Sequence, residues 1–109
     1  MTINVSRVAE LADELRITTL TGGYDLIGTL DFNPVQIIFD NQSAVDIEIS
    51  NNGTSTWHTF PAGEAIILDM RANHGIADNF TFVAGMKLYA KGTAGANAFS
   101  ISYTYALPL

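Results

Sequence analysis

The sequence has no cysteine among its 109 residues and little positive charge, with 5 Lys plus Arg against 11 Asp plus Glu. Without cysteine the chain has no disulfides, no thiolate metal ligands and no thiol nucleophile. The formal net charge of −6 argues against a nucleic-acid partner, because phosphate binding needs a basic surface that releases counterions. Disulfide scaffolds, thiol enzymes and nucleic-acid binders are therefore disfavoured.

Long apolar runs are also missing. No segment approaches the roughly 18 consecutive apolar residues that span a bilayer, and residues 1–16 lack the apolar core of a signal peptide. We therefore expect a soluble chain with no membrane partner and no cleaved export signal. The chain is nevertheless 48% hydrophobic, which at this length suits one domain with its own core.

Most of the chain has the residue pattern of an all-β protein. β-Branched and aromatic residues dominate after Leu15, and Gly, Asn, Asp or Pro recurs roughly every 8 to 12 residues. The predicted strands cover residues 24–30, 35–40, 45–50, 54–60, 65–70, 79–83, 87–91 and 98–105. About eight strands predict a β-sandwich of the jelly-roll type.

Two of these strands predict a hairpin. Residues 45–50 alternate apolar and polar side chains and lead into Asn51, Asn52 and Gly53, which tolerate the positive φ of tight turns. Residues 54–60 then return, so the hairpin tip is expected to face outward. The apolar run at residues 65–70 predicts a strand covered on both faces.

A helical pattern occurs only near the N-terminus. Val8, Leu11, Ala12 and Leu15 follow the i, i+3, i+4, i+7 spacing of an amphipathic helix. Because so short a helix is marginal alone, it would need to pack against another surface. We predict a helical or extended N-terminal arm over residues 1–16 and a sandwich domain over residues 17–109.

Catalytic chemistry is not indicated. Only His58 and His74 offer a general base, and no nucleophile elbow or metalloprotease motif accompanies them. Asp69, Asn73 and Asp78 do not follow the spacing of a calcium loop. We predict no enzyme activity, no cofactor and no metal site.

Several segments together resemble the small virion structural proteins of tailed bacteriophages. They are Asn4-Val5-Ser6-Arg7-Val8-Ala9-Glu10-Leu11, Thr19-Leu20-Thr21-Gly22-Gly23-Tyr24, residues 41–53, Pro61-Ala62-Gly63 and Lys87-Leu88-Tyr89-Ala90-Lys91-Gly92-Thr93-Ala94-Gly95. The resemblance extends over nearly the whole chain. It implies a compact β-sandwich that coats or joins parts of a particle, most often as a capsid decoration (cement) protein.

From this resemblance we expect a virion protein, assembled in the host cytoplasm, that braces the head by protein–protein contacts. Its partners would be the major capsid protein, neighbouring virion proteins or further copies of itself, with a trimer as one candidate oligomer. The apolar residues of the N-terminal arm are the candidate partner contacts: Ile3, Val5, Val8, Leu11 and Leu15.

Two other functions stay open. A carbohydrate- or receptor-binding module of a phage tail or fibre would use the aromatic rings of Trp57 and Tyr24 as a stacking platform. A small hydrolase would use His58 or His74. This hypothesis predicts a measurable turnover that is lost in His58→Ala or His74→Ala.

Overall fold

A computed structural model describes residues 8–69 and 82–108, with side chains over residues 12–69 and 82–105. These residues form eight strands: β1 (Val8–Ile17), β2 (Asp25–Thr29), β3 (Gln36–Asn41), β4 (Ile47–Ser50), β5 (His58–Phe60), β6 (Ala65–Asp69), β7 (Lys87–Lys91) and β8 (Phe99–Pro108). The described ranges contain no helix, and so none long and apolar enough to cross a membrane. The predicted all-β class is confirmed.

The eight strands form two four-stranded antiparallel sheets packed as a β-sandwich. Sheet A has the strand order β1-β8-β3-β6, and sheet B has the order β2-β7-β4-β5. The chain repeatedly leaves one sheet for the other, so strands that are distant in sequence become hydrogen-bonded neighbours. The first and last strands, β1 and β8, pair with each other along all ten residues.

The core lies between the two sheets and is built mainly from inward-facing residues, which alternate with outward-facing ones along each strand. Phe39 on sheet A packs against Phe60 on sheet B with 5.4 Å between the ring centroids. Every core member is at most 6% exposed. The core residues are Leu20, Leu30, Ile37, Phe39, Ile47, Ile49, Phe60, Phe82, Leu88, Ala90, Phe99, Ile101 and Tyr103.

The helical interpretation of residues 8–15 is wrong, because this segment is most of strand β1. Leu15 and Ile17 are partly buried against the core, whereas the intervening Arg16 is exposed, which is the two-residue period of a strand. Asp13 takes the next inward position and breaks the apolar alternation that would have revealed the strand. The predicted arm boundary at residue 16 falls inside β1, and residues 1–7 lie outside the described part of the chain.

Strand β6 is also unlike its prediction. Ile67 is 61% exposed on the outer surface, whereas Ile66 and Leu68 pack against the core. Sheet A packs against sheet B on one face only, so β6, one of its two edge strands, is covered on one face. An apolar run predicted burial on both faces, but the sheet leaves Ile67 open.

The predicted hairpin forms, with a longer connection than expected. Strands β4 and β5 pair antiparallel, with Ile47 opposite Phe60. Strand β5 begins only at His58, so residues 51–57 form a loop rather than the start of the returning strand. Of the strand predicted over residues 79–83, residues 79–81 lie outside the described residues, and Phe82 and Val83 belong to no strand.

Candidate interaction surface

Strands β1 and β8 extend beyond the rest of sheet A. Strand β3 pairs with β8 only over residues 99–104, and the Val35 N–H donates to the Thr104 carbonyl at 2.7 Å at the end of this pairing. Beyond it, residues 8–11 pair with residues 105–108 alone. This two-stranded ribbon adds roughly 14 Å of strand length. The ribbon is the continuation of the two sheet A strands β1 and β8.

The base of the ribbon is fixed by aromatic packing. The Tyr105 ring stacks on Phe32 with 3.9 Å between centroids and 6° between planes. Tyr103, two residues earlier, lies 6.0 Å away from Tyr105 and is 1% exposed. The ribbon therefore leaves the sandwich from a rigid aromatic base.

The buried Tyr103 hydroxyl joins three parts of the molecule at this base. It donates to the Asp13 Oδ2 atom of β1 at 3.1 Å and accepts from the Asp31 N–H at 3.1 Å. Burial raises the pKa of Tyr103, the Asp31 N–H opposes that rise, and the hydrogen bond to Asp13 adds to it. The neutral phenol is therefore the form that the native site favours.

The outer edge of β1 carries backbone groups that do not pair with β8. The Glu14 N–H donates to the Oδ1 atom of its neighbour Asp13 at 2.8 Å. It therefore points away from β8. Because outward and inward groups alternate in an antiparallel strand, the N–H and C=O groups of Ala12 and Arg16 point the same way. Since β1 is an edge strand of sheet A, no described strand pairs with this side of it, and we call this side the open edge of β1.

The five predicted partner contacts have different locations. Leu15 belongs to the chain's own core periphery, where a Cβ atom added to Gly28 would lie 2.9 Å from its Cδ2 atom. Val8 and Leu11 lie on β1, in the part without described side chains. Ile3 and Val5 lie outside the described residues. The structure thus uses Leu15 to pack β1 against β2, and the remaining four stay a prediction.

The predicted hairpin tip folds back onto sheet B. Asn51 and Asn52 are exposed, whereas Gly53 has φ +76° and approaches the Tyr89 ring so closely that an added Cβ would lie 3.4 Å from it. The buried Ser50 hydroxyl accepts from the N–H groups of Asn52 and Gly53 at 3.1 and 2.9 Å. The loop therefore satisfies its own backbone and covers part of the outer face of sheet B.

The two aromatic residues of the alternative glycan platform lie on different sides of sheet B. Trp57 packs against the core, 5.3 Å from Phe39 and 5.4 Å from Phe82 between ring centroids. Tyr24 lies at the outer surface, where its hydroxyl is 2.6 Å from Thr56 and the Lys91 ammonium is 5.1 Å from the ring centroid. The two rings do not form a shared platform.

The candidate catalytic and metal residues do not assemble into a site among the described residues. His58 is exposed, and its ring lies 4.6 Å from the Phe60 ring. His74, Asn73 and Asp78 lie outside the described residues. Within the described ranges no group of three or more His, Cys, Asp or Glu side chains is placed to hold a metal ion.

The open edge of β1 was not identified from the sequence. Its informative signal is the alternation of Ala12, Glu14 and Arg16 with Asp13, Leu15 and Ile17, which indicates a strand with a charged outer face. The helical spacing in the same segment competes with that signal, so the edge becomes evident only once β1 is paired with β8.

No family model and no curated protein matches this chain. Ten chains of solved structures match it. One of them comes from the structure described as "Bacillus endospore appendages form a novel family of disulfide-linked pili", with a TM-score of 0.47 and 15% sequence identity. The match covers 100% of this chain and 96% of that chain. That title describes disulfide-linked pili, whereas the present chain contains no cysteine.

Proposed function

We propose that the chain is a non-enzymatic structural protein of a bacteriophage virion, most specifically a capsid decoration protein that stabilises the head through protein–protein contacts. The single observation that carries the assembly role is the open edge of β1, which continues into a two-stranded ribbon beyond sheet A. The resemblance of the sequence segments to phage virion proteins supports the virion setting.

The physical basis of the assembly role is the unused hydrogen-bonding capacity of that edge. Exposed strand edges accept additional strands, and proteins that do not assemble through them usually blunt them. Here the edge strand is ten residues long. Many such contacts, each modest, stabilise a shell by mass action because they form only in the assembled state.

The jelly-roll form of the sandwich is part of the same proposal. It is supported by eight strands in two four-stranded sheets, with β1 beside β8, β3 beside β6, β2 beside β7 and β4 beside β5. Jelly rolls are common among viral coat domains. Because one fold serves many functions, the assembly role depends on the edge of β1 and not on the jelly-roll form.

The proposed partners are the major capsid protein, neighbouring virion proteins and other copies of the chain, and the proposed location is the virion after assembly in the host cytoplasm. A cysteine-free chain suits folding in a reducing compartment. A homo-oligomer fits repeated decoration, and a trimer would suit the local three-fold positions of a shell.

Co-sedimentation with purified heads tests the proposal. Heads lacking the decoration protein are mixed with the full chain, with a chain lacking residues 1–7, and with the Arg16→Pro variant. We expect the full chain to pellet with the heads in a saturable manner and the altered chains to bind less. Deleting residues 1–16 is unsuitable, because it removes most of β1. Absence of the full chain from both the reconstituted heads and native virions would contradict the proposal.

The alternative is a carbohydrate- or receptor-binding module. It is favoured by the outer cluster on sheet B, where Tyr24 donates to Thr56 and Thr56 donates to Glu48. A glycan array separates the two functions. Saturable glycan binding that is lost in Tyr24→Ala and retained in Asn51→Ala would favour the alternative, whereas no binding favours the structural role.

A further inference from the structure

We propose that the open edge of β1 pairs antiparallel with the same edge of a second copy, so that two sheets A join into one eight-stranded sheet across a two-fold axis. This inference rests on the proposed assembly function and names the partner of its edge. Strand addition at a sheet edge uses main-chain hydrogen bonds for affinity and side chains for register.

The edge of β1 is the best suited of the four edges in the described sandwich. Strand β5 has three residues, and β2 is interrupted by a register shift between Leu26 and Gly28. Strand β6 has five residues. Strand β1 has ten residues in unbroken register with β8, so it offers the longest regular row of outward N–H and C=O groups, and residues 13–17 of this row overlap in the pairing that centres on Leu15.

The charges on β1 complement a second copy of the same strand. Glu14 and Arg16 lie two residues apart, and both are exposed on the outer face of sheet A. When Leu15 of one copy lies opposite Leu15 of the other, Glu14 faces Arg16 of the second copy, and Arg16 faces its Glu14. Two reciprocal opposite-charge pairs therefore form across the axis, and such pairs stabilise antiparallel strands.

The hydrogen-bond pattern allows the same register. The backbone groups of Glu14 and Arg16 both point away from β8, as the Glu14 N–H to Asp13 bond indicates. In an antiparallel pair, opposed residues exchange hydrogen bonds at every second position. When Glu14 lies opposite Arg16 of the second copy, both residues direct their backbone N–H and C=O groups toward the other strand. In a register shifted by one residue, such a residue would lie opposite one whose backbone groups point toward its own β8.

Asp13 covers this edge in the single chain. Its Oδ1 atom accepts from the Glu14 N–H, and its Oδ2 atom is held by the Tyr103 hydroxyl. On pairing, the Glu14 N–H exchanges the carboxylate for a carbonyl oxygen of the second copy. An acidic side chain at an edge restrains indiscriminate strand pairing, so the contact is expected to be reversible.

A charge-exchange experiment tests the pairing by sedimentation equilibrium of the full chain. We expect the wild-type chain to show a monomer–dimer equilibrium. Glu14→Arg and Arg16→Glu each turn both reciprocal pairs into like-charge pairs, and each is expected to raise the dimer Kd roughly tenfold. The double variant restores opposite charges and is expected to recover the wild-type Kd. Lys87 is exposed on sheet B, away from the edge of β1. Lys87→Glu is therefore the control for net charge and is expected to leave the dimer Kd unchanged.

Arg16→Pro provides a second test that does not depend on charge pairing alone. Proline removes an N–H that points away from β8, so β1 keeps its hydrogen bonds with β8. We expect the variant to lose dimerisation. Its circular dichroism spectrum should match that of the wild-type chain. A wild-type chain that stays monomeric at all concentrations, or a double variant that associates no better than the single variants, would overturn the inference.

The head-binding experiment keeps this inference separate from the proposed function. Charge variants that fail to dimerise but still bind heads like the wild-type chain would assign the edge to dimerisation and the head contact to another surface of the chain. A wild-type chain that dimerises in the predicted manner but never associates with heads would contradict the virion role and leave the edge inference standing.

Discussion

The outer face of sheet B is partly covered by a loop of the chain, whereas sheet A ends in an edge strand with no described partner on its outer side. Sheet B is covered in part by its own loop, in which Gly53 lies against Tyr89 and Thr56 links Tyr24 to Glu48. Sheet A carries small hydroxyl side chains on its central strand β8 and ends in the open edge of β1. The polar groups on the outer face of sheet B bond within the chain, whereas the outward backbone groups of β1 are the ones that the proposed function assigns to a partner. If the proposed assembly role holds, the partner contacts form at the backbone groups along the edge of β1.

The largest expected effect lies at Asn41, which connects the two sheets. Its buried Nδ2 group donates to the carbonyls of Val45, Phe60 and Pro61 at 2.9 to 3.0 Å. Asn41→Ala leaves these carbonyls without that donor and is expected to lower the free energy of unfolding by about 3 kcal/mol or more. Urea denaturation measures the loss. Gln42→Ala, on the exposed neighbour, should change it by less than about 0.5 kcal/mol.

A smaller loss is expected at Gly92, where the chain comes closest to its own backbone. An added Cβ would lie 3.0 Å from the Asp46 carbonyl oxygen and 3.0 Å from Leu20 Cδ1. Gly92→Ala is therefore expected to cost about 1 to 3 kcal/mol through overpacking. Gly23→Ala is the matched control because nothing lies within 4 Å of its added Cβ. Equal melting temperatures for the two variants would contradict the close approach.

The difference between the two faces is tested by removing one hydroxyl from each. Ser50→Ala removes the acceptor for two loop N–H groups and is expected to lower the free energy of unfolding by about 1 to 2 kcal/mol. Ser102→Ala, on the outer face of sheet A, should change it by less than about 0.5 kcal/mol. If Ser50→Ala and Ser102→Ala lower the free energy of unfolding equally in urea denaturation, the hydrogen bonds of the Ser50 hydroxyl do not stabilise the loop over sheet B.

The smallest expected effect concerns Tyr103 and high pH. Because its pKa is raised in the native state, the unfolded chain releases the phenolic proton first as pH increases. The stability contributed by the neutral phenol is therefore complete below the ordinary tyrosine pKa near 10 and declines above it. Tyr103→Phe should lower stability by about 1 kcal/mol at pH 7 and make it less sensitive to pH above 10. A wild-type slope retained in Tyr103→Phe would assign the titration to another group.

Much of the sandwich was predictable because its central strands alternate apolar and polar residues. Ile47 and Ile49 point inward on β4, and Phe99, Ile101 and Tyr103 do so on β8, as their period of two indicates. The sequence pattern failed at β1, because Asp13 occupies an inward position and the apolar residues around it also fit a helix. Only pairing with β8, more than 80 residues away in sequence, decides between the two.

Side-chain hydrogen bonds account for the other differences. Residues 54–57 look like the beginning of a strand, yet the Asn52 Oδ1 atom accepts from the N–H groups of Thr54 and Ser55 at 2.8 and 2.9 Å and holds them in a loop. Asn41 begins a glycosylation sequon in the sequence, but the fold buries it completely. In both cases the residue type is common in loops, and its specific partners are set by the tertiary fold.

Amide hydrogen exchange along β1 distinguishes a paired edge from an unpaired one. The outward N–H group of Arg16 is expected to exchange rapidly in dilute protein and to become protected as the concentration rises and copies pair. The outward N–H group of Ala12 should exchange rapidly at every concentration, because it would lie opposite Thr18 of the second copy, beyond the end of β1. The N–H groups of Leu15 and Ile17, which face β8, should be protected at every concentration. Rapid exchange at Arg16 that does not change with concentration, and that persists in the head-bound protein, would mean that the edge of β1 stays unpaired.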